Sequence, residues 1–383
     1  DDVWWNVYGE DQAWNFKNLH RFMPTVNVYR EGQVRTLAQR PMSDIPNQIV
    51  DTPIGSMGFK DFLDSDKSTT MSIVILHKGD VVFEYYPNQQ PYEKPIYWSA
   101  TKALVAALVG ILADRGQVDL TQPISHYLPR LKDSDYANIT VRNLLDMATG
   151  VNCPEEYFDQ TSCYYKYSVT IGDGYWTQDS PNSPYDMLAT LKPGITAPQG
   201  TQYQYSGVNA FILSWLVEDI MNMPFQDAVS KEIWSKMGAE SDASILAPRY
   251  GVPIAHGGLL ARSRDVARFG LLYTPSYTKI SDSQIISDRM INLILNDKNP
   301  NLTLKTNKAG QLPPDFSHSG YLWDAVYTND DFYRGGWAGQ GLLINPTKDI
   351  VAVYTGYAID PQESQPDLLP ILRQVLNNVF SNQ

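Results

Sequence analysis

A serine and a lysine three positions apart are the residues of this sequence best suited to do chemistry. They are Ser99 and Lys102 in the segment S-A-T-K, and residues three apart lie on one face of a helix. A serine hydroxyl is a poor nucleophile until a neighbouring base accepts its proton. Burial and the positive end of a helix dipole both lower the pKa of a lysine, which makes its amine a usable base. The pair therefore predicts covalent catalysis, with Ser99 attacking a carbonyl and Lys102 accepting its proton.

The pair opens the strongest predicted helix of the chain, which runs from about Ser99 to Asp114. This helix is apolar on nearly every side, so we expect it to be buried, with Gly116 just beyond its end. The alternative for the pair is a serine that only caps the helix and a lysine whose amine reaches solvent. A lysine in a buried helix is costly unless it has a function, which favours the catalytic interpretation.

A tyrosine and a glycine-rich segment could complete such a site. Tyr205 lies in Q-Y-S-G-V-N at the start of another predicted helix and could face the pair as a phenolate or a proton relay. A cationic Lys102 beside it would lower the pKa of the phenol from ~10. The segment G-G-W-A-G-Q-G, residues 335–341, leads into a predicted strand, where a backbone N–H could donate to an oxyanion. The alternatives are an unrelated tyrosine among 24 and an ordinary glycine-rich turn.

Strand patterns near both ends of the chain enclose a long helical region. The predicted strands cover residues 71–76, 81–86, 339–344 and 350–355. The predicted helices, besides the buried one, cover residues 140–148, 209–221, 262–273 and 368–380. Residues 1–70 show little periodicity, and residues 150–204, rich in Tyr, Pro, Asp and Gly, are predicted to form a long functional loop region. These patterns predict an α/β domain over 1–125 and 250–383, interrupted by a mostly α-helical domain over 126–249.

The composition excludes several classes of partner. With 30 basic and 42 acidic side chains among 383 residues, the formal net charge is -12, which disfavours nucleic acid and anionic membranes as partners. The longest apolar run, residues 103–113, falls far short of the ~20 residues that a spanning helix needs. We therefore expect no membrane span. The small-molecule ester or amide substrate that we expect follows from the catalytic residues and not from the composition.

The two cysteines, Cys153 and Cys163, have neither CxxC spacing nor a nearby histidine cluster, so no metal site is predicted. We expect them to form a disulfide across a short loop, and two partly buried thiols are the alternative. The first residue is Asp1, so we expect a processed or trimmed chain from which any signal peptide has been removed. Aromatic richness and net acidity favour a periplasmic or secreted protein.

In this order and spacing, the serine–lysine pair, Tyr205 and the glycine-rich segment resemble the serine β-lactamase and penicillin-binding protein superfamily, in its class C-like branch. The segment Y-S-G-V-N-A-F-I-L-S-W-L-V-E, which begins at Tyr205, is similar to the 6-aminohexanoate-dimer (nylon-oligomer) hydrolases and related carboxylesterases. The resemblance covers residues 70–357. It implies an α/β fold in which an antiparallel sheet is flanked by helices, with an inserted helical domain and the active site in the groove between them.

The resemblance also implies roles for individual residues. It makes Ser99 the nucleophile, Lys102 its base and Tyr205 the proton relay. The backbone N–H groups of Ser99 and Trp337 would form the oxyanion hole. The substrate-binding residues that it implies are Tyr157, which would close over the substrate, and Asn209, His256, Gly336 and Gln340. For His256, a purely structural role is the alternative.

Two departures from the β-lactamase motifs bear on the substrate. The Y-x-N motif would need asparagine where this chain has Gly207, and K-T-G is replaced by Gly336-Trp337-Ala338, with no cation for a substrate carboxylate. We therefore expect a serine hydrolase that cleaves an ester or amide through an acyl-enzyme, without a metal or organic cofactor. A β-lactamase or D,D-peptidase is the first alternative, and a non-catalytic penicillin-binding-like module is the second.

Overall fold

The computed structural model describes residues 7–304, 312–359 and 368–381. The strands in these ranges are β1 (Thr25–Val28), β2 (Ile49–Thr52), β3 (Gly55–Gly58), β4 (Thr70–His77), β5 (Asp80–Tyr85), β6 (Gln202–Tyr203), β7 (Ala243–Leu246), β8 (Leu259–Leu260), β9 (Thr303–Leu304), β10 (Phe316–Gly320), β11 (Trp323–Tyr327), β12 (Phe332–Gly336), β13 (Gln340–Asn345) and β14 (Ile350–Gly356). The helices are α1 (Glu10–Asn18), α2 (Phe59–Leu63), α3 (Lys102–Asp114), α4 (Ile124–Tyr127), α5 (Val141–Leu145), α6 (Cys163–Ile171), α7 (Pro184–Ala189), α8 (Gly207–Met221), α9 (Phe225–Val229), α10 (Ser263–Leu271), α11 (Asp288–Asn296) and α12 (Leu368–Val379).

Seven strands form one antiparallel sheet in the order β10-β11-β12-β13-β14-β4-β5. The sheet joins the two ends of the chain, because β4 from the predicted N-terminal hairpin pairs with β14, placing Val74 opposite Val353 and Ile75 opposite Ala352. Alternate residues of a strand point to opposite faces. Val74 and Val353 therefore enter the apolar core that includes α3 and α10, whereas Ile75 and Ala352 pack with α12. The expected fold class is confirmed.

Helix α3 is the buried centre of the fold, as its sequence predicts. Every residue from Lys102 to Leu112 is buried, and the chain leaves the helix through Gly116, whose φ is 69°. Helix α3 packs against α8, the helix that follows Tyr205. One expectation is corrected: residues Trp98–Thr101 form a short 3-10 helix, so Ser99 lies in the turn that precedes α3.

Two segments contain more regular structure than their sequences predict. Residues 1–70 include α1, β1 and the β2–β3 hairpin. Helix α1 lacks an apolar stripe, because its buried residues include Gln12 and Asn18 beside Ala13 and Phe16. The expected long loop 150–204 contains α6 and α7, and Ser162 and Ser183 cap their N-termini. Strands β10–β12 are a further addition to the predicted elements.

The division into two domains stays a prediction. The seven-stranded sheet draws its strands only from residues 70–85 and 316–356, outside the predicted helical insert. A smaller sheet, in the order β1-β7-β8, crosses the predicted boundary at residue 250. None of the helices in the described ranges combines the length and the apolar run that crossing a bilayer requires.

The two cysteines form a disulfide, with Cα atoms 5.1 Å apart, so the structure selects the first of the two alternatives for them. Cys153 is buried and Cys163 opens α6, so the bond fastens the start of that helix to the loop after Val151. The two cysteines are 10 positions apart in the sequence, so the bond closes a short loop. Because a cross-link restricts the unfolded chain, it should stabilise the fold by about 2–3 kcal/mol.

We expect both thiols to resist alkylation in the native protein and to react only after reduction. Reduction should lower the free energy of unfolding by about 2–3 kcal/mol, measured as a shift in the urea midpoint. The matched control is Cys153→Ser combined with Cys163→Ser, whose urea midpoint should not respond to the reductant. Ready alkylation of the native, unreduced protein would contradict the pairing.

Candidate active site

The chain makes a sharp turn directly before Ser99. Trp98 has a φ of 44°, a left-handed conformation that a bulky residue rarely adopts. Ser99 follows at the second position of the 3-10 helix and lines a cavity of about 310 Å³. The first N–H groups of a helix have no carbonyl partner one turn earlier. The N–H of Ser99 is therefore placed where it can donate to a group bound in this cavity.

The Lys102 amine lies among three oxygen atoms. Its Nζ is 3.0 Å from Ser99 Oγ, 2.8 Å from Tyr205 Oη and 3.0 Å from the backbone oxygen of His256. The carbonyl oxygen only accepts a hydrogen bond. A neutral amine can donate its two hydrogens to His256 and Tyr205 and direct its lone pair at the Ser99 hydroxyl. This arrangement is capable of taking the serine proton.

The surroundings of Lys102 favour its neutral form. Burial, the largest cause, lowers the pKa of Lys102 to about 7. The nearby Glu155 carboxylate opposes this shift by raising the pKa, and the Arg334 guanidinium reinforces it. Near neutral pH a substantial fraction of the amine is therefore unprotonated and able to act as a base.

The turn that carries Tyr205 is held by Glu155. The N–H of Gly207 donates to Glu155 Oε2 over 2.9 Å, and the N–H of Glu155 donates to the carbonyl of Tyr205 over 3.1 Å. The expected pKa shift of the phenol is wrong in direction. Burial raises the pKa of Tyr205 well above its ordinary value, and the lowering by Arg334 and by a hydrogen bond with Ser99 only partly opposes it. Tyr205 is therefore a neutral phenol beside the serine and the amine.

Arg334 is the residue of this site that the sequence did not single out. It lies on β12, is buried, and donates through Nη2 to Tyr205 Oη over 2.6 Å and through Nε to the carbonyl of Ser99 over 2.9 Å. Its Nη1 donates to Asp324 Oδ1 on β11 over 2.6 Å. Arg334 is a cation in this region, but it does not line the cavity, so the expectation that no cation is available for a substrate carboxylate stays a prediction. The signal was an arginine two positions before Gly336, because residues two apart in a strand share a face.

Gly336 lets β12 approach the serine turn. A Cβ atom on Gly336 would lie 2.3 Å from the carbonyl oxygen of Tyr97, so a larger residue would push the strand away. Gln340 is buried and its Nε2 donates to the carbonyls of Trp337 and Ala338, each over 3.1 Å. These two residues therefore shape the turn that presents Trp337 to the cavity and do not line the cavity themselves.

Of the other expected substrate-binding residues, two line the cavity and one does not. Tyr157 and His256 line the cavity, and burial lowers the pKa of His256 well below its ordinary value, which keeps the ring neutral. Tyr157 Oη donates to Glu155 over 2.9 Å. Asn209 lies elsewhere, buried in α8 with its Nδ2 donating to the sulfur of Met147 over 3.4 Å.

Aromatic rings and carboxylates dominate the cavity. Its lining residues are Tyr8, Trp98, Ser99, Glu155, Tyr157, Phe158, Asp173, Ile254, His256, Gly257 and Trp337. No lysine or arginine is among the described residues that line it. Within the same described part of the chain, no group of three or more His, Cys, Asp or Glu side chains is placed to hold a metal ion. The cavity thus offers apolar walls and negative charge beside a serine hydroxyl.

An antiparallel sheet covered by helices, with a serine–lysine pair at the start of a buried helix, defines the β-lactamase and penicillin-binding class of fold. The Beta-lactamase family model matches residues 59–357, so the chain belongs to the beta-lactamase family. A 6-aminohexanoate-dimer hydrolase of Paenarthrobacter ureafaciens is 26% identical over 298 residues, which are 77% of this chain and 74% of that protein. The resemblance noted from the sequence is confirmed, and the family is one of hydrolases.

Solved structures agree on the fold. A Bacillus anthracis protein described as a 6-aminohexanoate-dimer hydrolase superposes with a TM-score of 0.77 at 22% identity, over 97% of this chain and 92% of its own. EstCE1, a hydrolase with promiscuous acyltransferase activity, gives a TM-score of 0.59 at 15% identity, over 82% of this chain and 95% of its own.

We expect the Lys102 amine to titrate near neutrality, with a pKa of about 7. Because Glu155 raises this pKa and Arg334 lowers it, Glu155→Gln should lower the pKa further and Arg334→Gln should raise it. NMR of protein with isotope-labelled lysine side chains measures the titration, and loss of the signal in Lys102→Met assigns it.

Arg334→Lys is the control for this pair of variants, since it keeps a positive charge on β12 and should raise the pKa of Lys102 less than Arg334→Gln does. A Lys102 amine that titrates with exposed lysines at a pKa of ~10.4 would contradict the expected burial effect. Shifts of the same sign in Glu155→Gln and Arg334→Gln would contradict the assignment of the two opposing charges.

Proposed function

We propose that the chain is a serine hydrolase that cleaves an ester or amide bond through an acyl-enzyme on Ser99, like the 6-aminohexanoate-oligomer hydrolases and carboxylesterases. The observation that carries the proposal is the contact of the buried Lys102 amine with Ser99 Oγ, Tyr205 Oη and the His256 carbonyl. A buried lysine is costly, and these three contacts give its amine a partner for each hydrogen and one for its lone pair.

In the acylation step, Ser99 Oγ attacks the carbonyl carbon while Lys102 Nζ takes the hydroxyl proton. The carbonyl oxygen becomes an oxyanion, which the backbone N–H groups of Ser99 and Trp337 stabilise. Tyr205 then gives its phenol proton to the leaving alkoxide or amine and recovers a proton from Lys102. The bond to the leaving group breaks, and Ser99 retains the acyl group as an ester.

Deacylation follows the same path with water as the nucleophile. Lys102 Nζ takes one proton from the water, either directly or through Tyr205, whose hydroxyl accepts that proton while passing its own to the amine. The water oxygen attacks the acyl carbon, and the proton returns to Ser99 Oγ when the acid leaves. The raised pKa of Tyr205 is consistent with a relay, because a phenol that stays protonated near neutral pH must give up its own proton as it accepts another. Arg334 supports it too, since its hydrogen bond fixes Tyr205 Oη in place.

The charge of the cavity favours esters and amides over penicillins. Glu155 and Asp173 line the cavity, and a substrate carboxylate would meet their negative charge. Arg334 does not line the cavity, and its guanidinium is already occupied by Asp324 and Tyr205. At position 207, a Cβ atom would lie 2.6 Å from Tyr164 Oη, so the asparagine of the β-lactamase motif has no room there.

We also propose that the protein works in an oxidising compartment, periplasmic or extracellular. The disulfide between Cys153 and Cys163 supports this location, because such bonds persist mainly outside the cytosol.

Ser99→Ala should abolish both the hydrolysis of p-nitrophenyl esters and labelling by a fluorophosphonate, because the nucleophilic oxygen is gone. Intact-mass spectrometry of the labelled protein and release of nitrophenol measure the two losses. The matched control is Ser206→Ala, which removes a buried hydroxyl next to Tyr205 and should leave labelling intact. Labelling that persists in Ser99→Ala would move the nucleophile to another residue, and an unlabelled native protein would favour a non-catalytic module.

Short neutral esters should react faster than esters that carry a carboxylate, with kcat/KM about tenfold higher for a p-nitrophenyl butyrate than for a p-nitrophenyl hemisuccinate. Asp173→Asn should narrow this ratio, because it removes one of the negative charges that line the cavity. The exposed Asp179→Asn is the control and should leave the ratio unchanged. Rapid acylation by benzylpenicillin, seen as a mass adduct, would instead favour the β-lactamase alternative.

A further inference from the structure

A phenylalanine from the N-terminal helix packs against both sides of the proposed oxyanion hole. The Phe16 ring lies with its centroid 5.5 Å from Trp98 and 5.8 Å from Trp337, in edge-to-face geometry in both cases. The two indoles contact each other at 5.3 Å. Trp98 is the residue directly before Ser99, and Trp337 carries the second proposed donor. One ring therefore touches the side chains that border both backbone N–H groups.

Helix α1 is fastened to the chain segments on both sides of this cluster. The carbonyl of Phe16 accepts from the N–H of Ile96, three residues before Ser99, over 3.0 Å. Near the start of the helix, Gly9 donates to the carbonyl of Ala358 over 2.7 Å, and the N–H of Ala358 donates to Gln12 Oε1 over 2.6 Å. These bonds hold α1 against the segment that follows β14 and the segment that precedes the serine turn, so both segments set the position of the Phe16 ring.

The backbone of Trp98 requires such support. Its φ of 44° is unfavourable for a large side chain and persists only where the surroundings hold it. Phe16 is 1% exposed and packs against the indoles of both Trp98 and Trp337. A smaller side chain at position 16 would let the two indoles move and would change the separation of the two N–H groups.

We propose that Phe16 is a positioning residue for the oxyanion hole, a role that rests on the hydrolase function proposed above. Oxyanion donors act only when they lie at hydrogen-bond distance from the position of the developing charge. The ring of Phe16 keeps the donors of Ser99 and Trp337 at their separation by holding Trp98 and Trp337 in contact. Helix α1 is thus part of the active site although it supplies no reacting group.

The test compares Phe16→Leu with Trp14→Leu. Trp14 lies on the exposed side of the same helix, where it stacks on Phe22 at 6.1 Å and does not line the cavity, so its loss is a matched control. The hydrolysis rate of each variant is measured with a p-nitrophenyl ester and with its thiono counterpart, in which sulfur replaces the carbonyl oxygen. Sulfur accepts hydrogen bonds poorly, so a well-formed oxyanion hole favours the oxygen ester strongly.

Phe16→Leu should lower kcat for the oxygen ester about tenfold with little change in KM, because complete removal of one donor costs about 10²–10³. The rate with the thiono ester should fall less, so the ratio of the oxygen-ester rate to the thiono-ester rate should decrease. Trp14→Leu should keep both the rate and the ratio of the native protein. Phe16→Met, whose longer side chain refills more of the space, should recover part of the rate and also serves if Phe16→Leu does not fold.

Equal loss of both rates in the Phe16 variants would show a structural effect only and would overturn the proposal, as would an unchanged rate. Narrowing of the ratio in Trp14→Leu as well would also overturn it, because the effect would then belong to the whole helix. These outcomes require an active native protein. A native protein that neither hydrolyses the oxygen ester nor is labelled at Ser99 overturns the hydrolase function itself, and the role of Phe16 with it.

Discussion

Placing one amine inside an apolar helix is the constraint on which the arrangement of this site depends. Lys102 begins α3, whose other residues up to Leu112 form the apolar centre of the protein. Such an amine needs oxygen partners, and the side chains of α3 up to Leu112 offer none. Three other segments supply them. Ser99 lies in the turn before α3, His256 in the loop before β8, and Tyr205 in the turn before α8. Satisfying the amine and assembling the site are therefore the same structural problem.

Two fixed charges of opposite sign then adjust the pKa of the Lys102 amine. Glu155 is held by the N–H of Gly207 and by the hydroxyl of Tyr157, and Arg334 is held by Asp324 on the neighbouring strand. The partners of the amine are Ser99, Tyr205 and His256, whereas Glu155 and Arg334 act on it through the electrostatic field that they create. Because the carboxylate raises the pKa of Lys102 and the guanidinium lowers it, burial remains the dominant influence. The amine is therefore partly protonated and partly neutral near neutral pH, and the two charges that influence this balance are held by different neighbouring residues.

The parts of the site that follow from local pattern could be predicted from the sequence. A helix brings together residues three positions apart, and a strand aligns residues two positions apart. These spacings are visible in the serine–lysine pair, the apolar helix and the paired strands. Arg334 was not recognised from the sequence, because an arginine two positions before Gly336 shows its role only when the strand order places it beside Tyr205. The pKa of Tyr205 was expected to fall because proximity to a cation is visible in a motif, whereas the depth of burial is not. Helix α1 was missed because a helix that buries Gln12 and Asn18 has no apolar stripe.

The glycines that depart from the β-lactamase motifs have a common physical explanation. At Gly207 the space of a side chain is taken by the Tyr164 hydroxyl and the His256 ring, and at Gly336 it is taken by the carbonyl of Tyr97. In both places, a motif position that could carry a substrate-binding side chain instead allows close packing of neighbouring elements. The cavity loses polar groups from α8 and β12 and gains aromatic walls, among them Trp337. If the hydrolase function proposed above holds, an aromatic and acidic cavity would disfavour substrates with a carboxylate near the scissile bond, and the same substitutions that tighten the packing would narrow the substrate class.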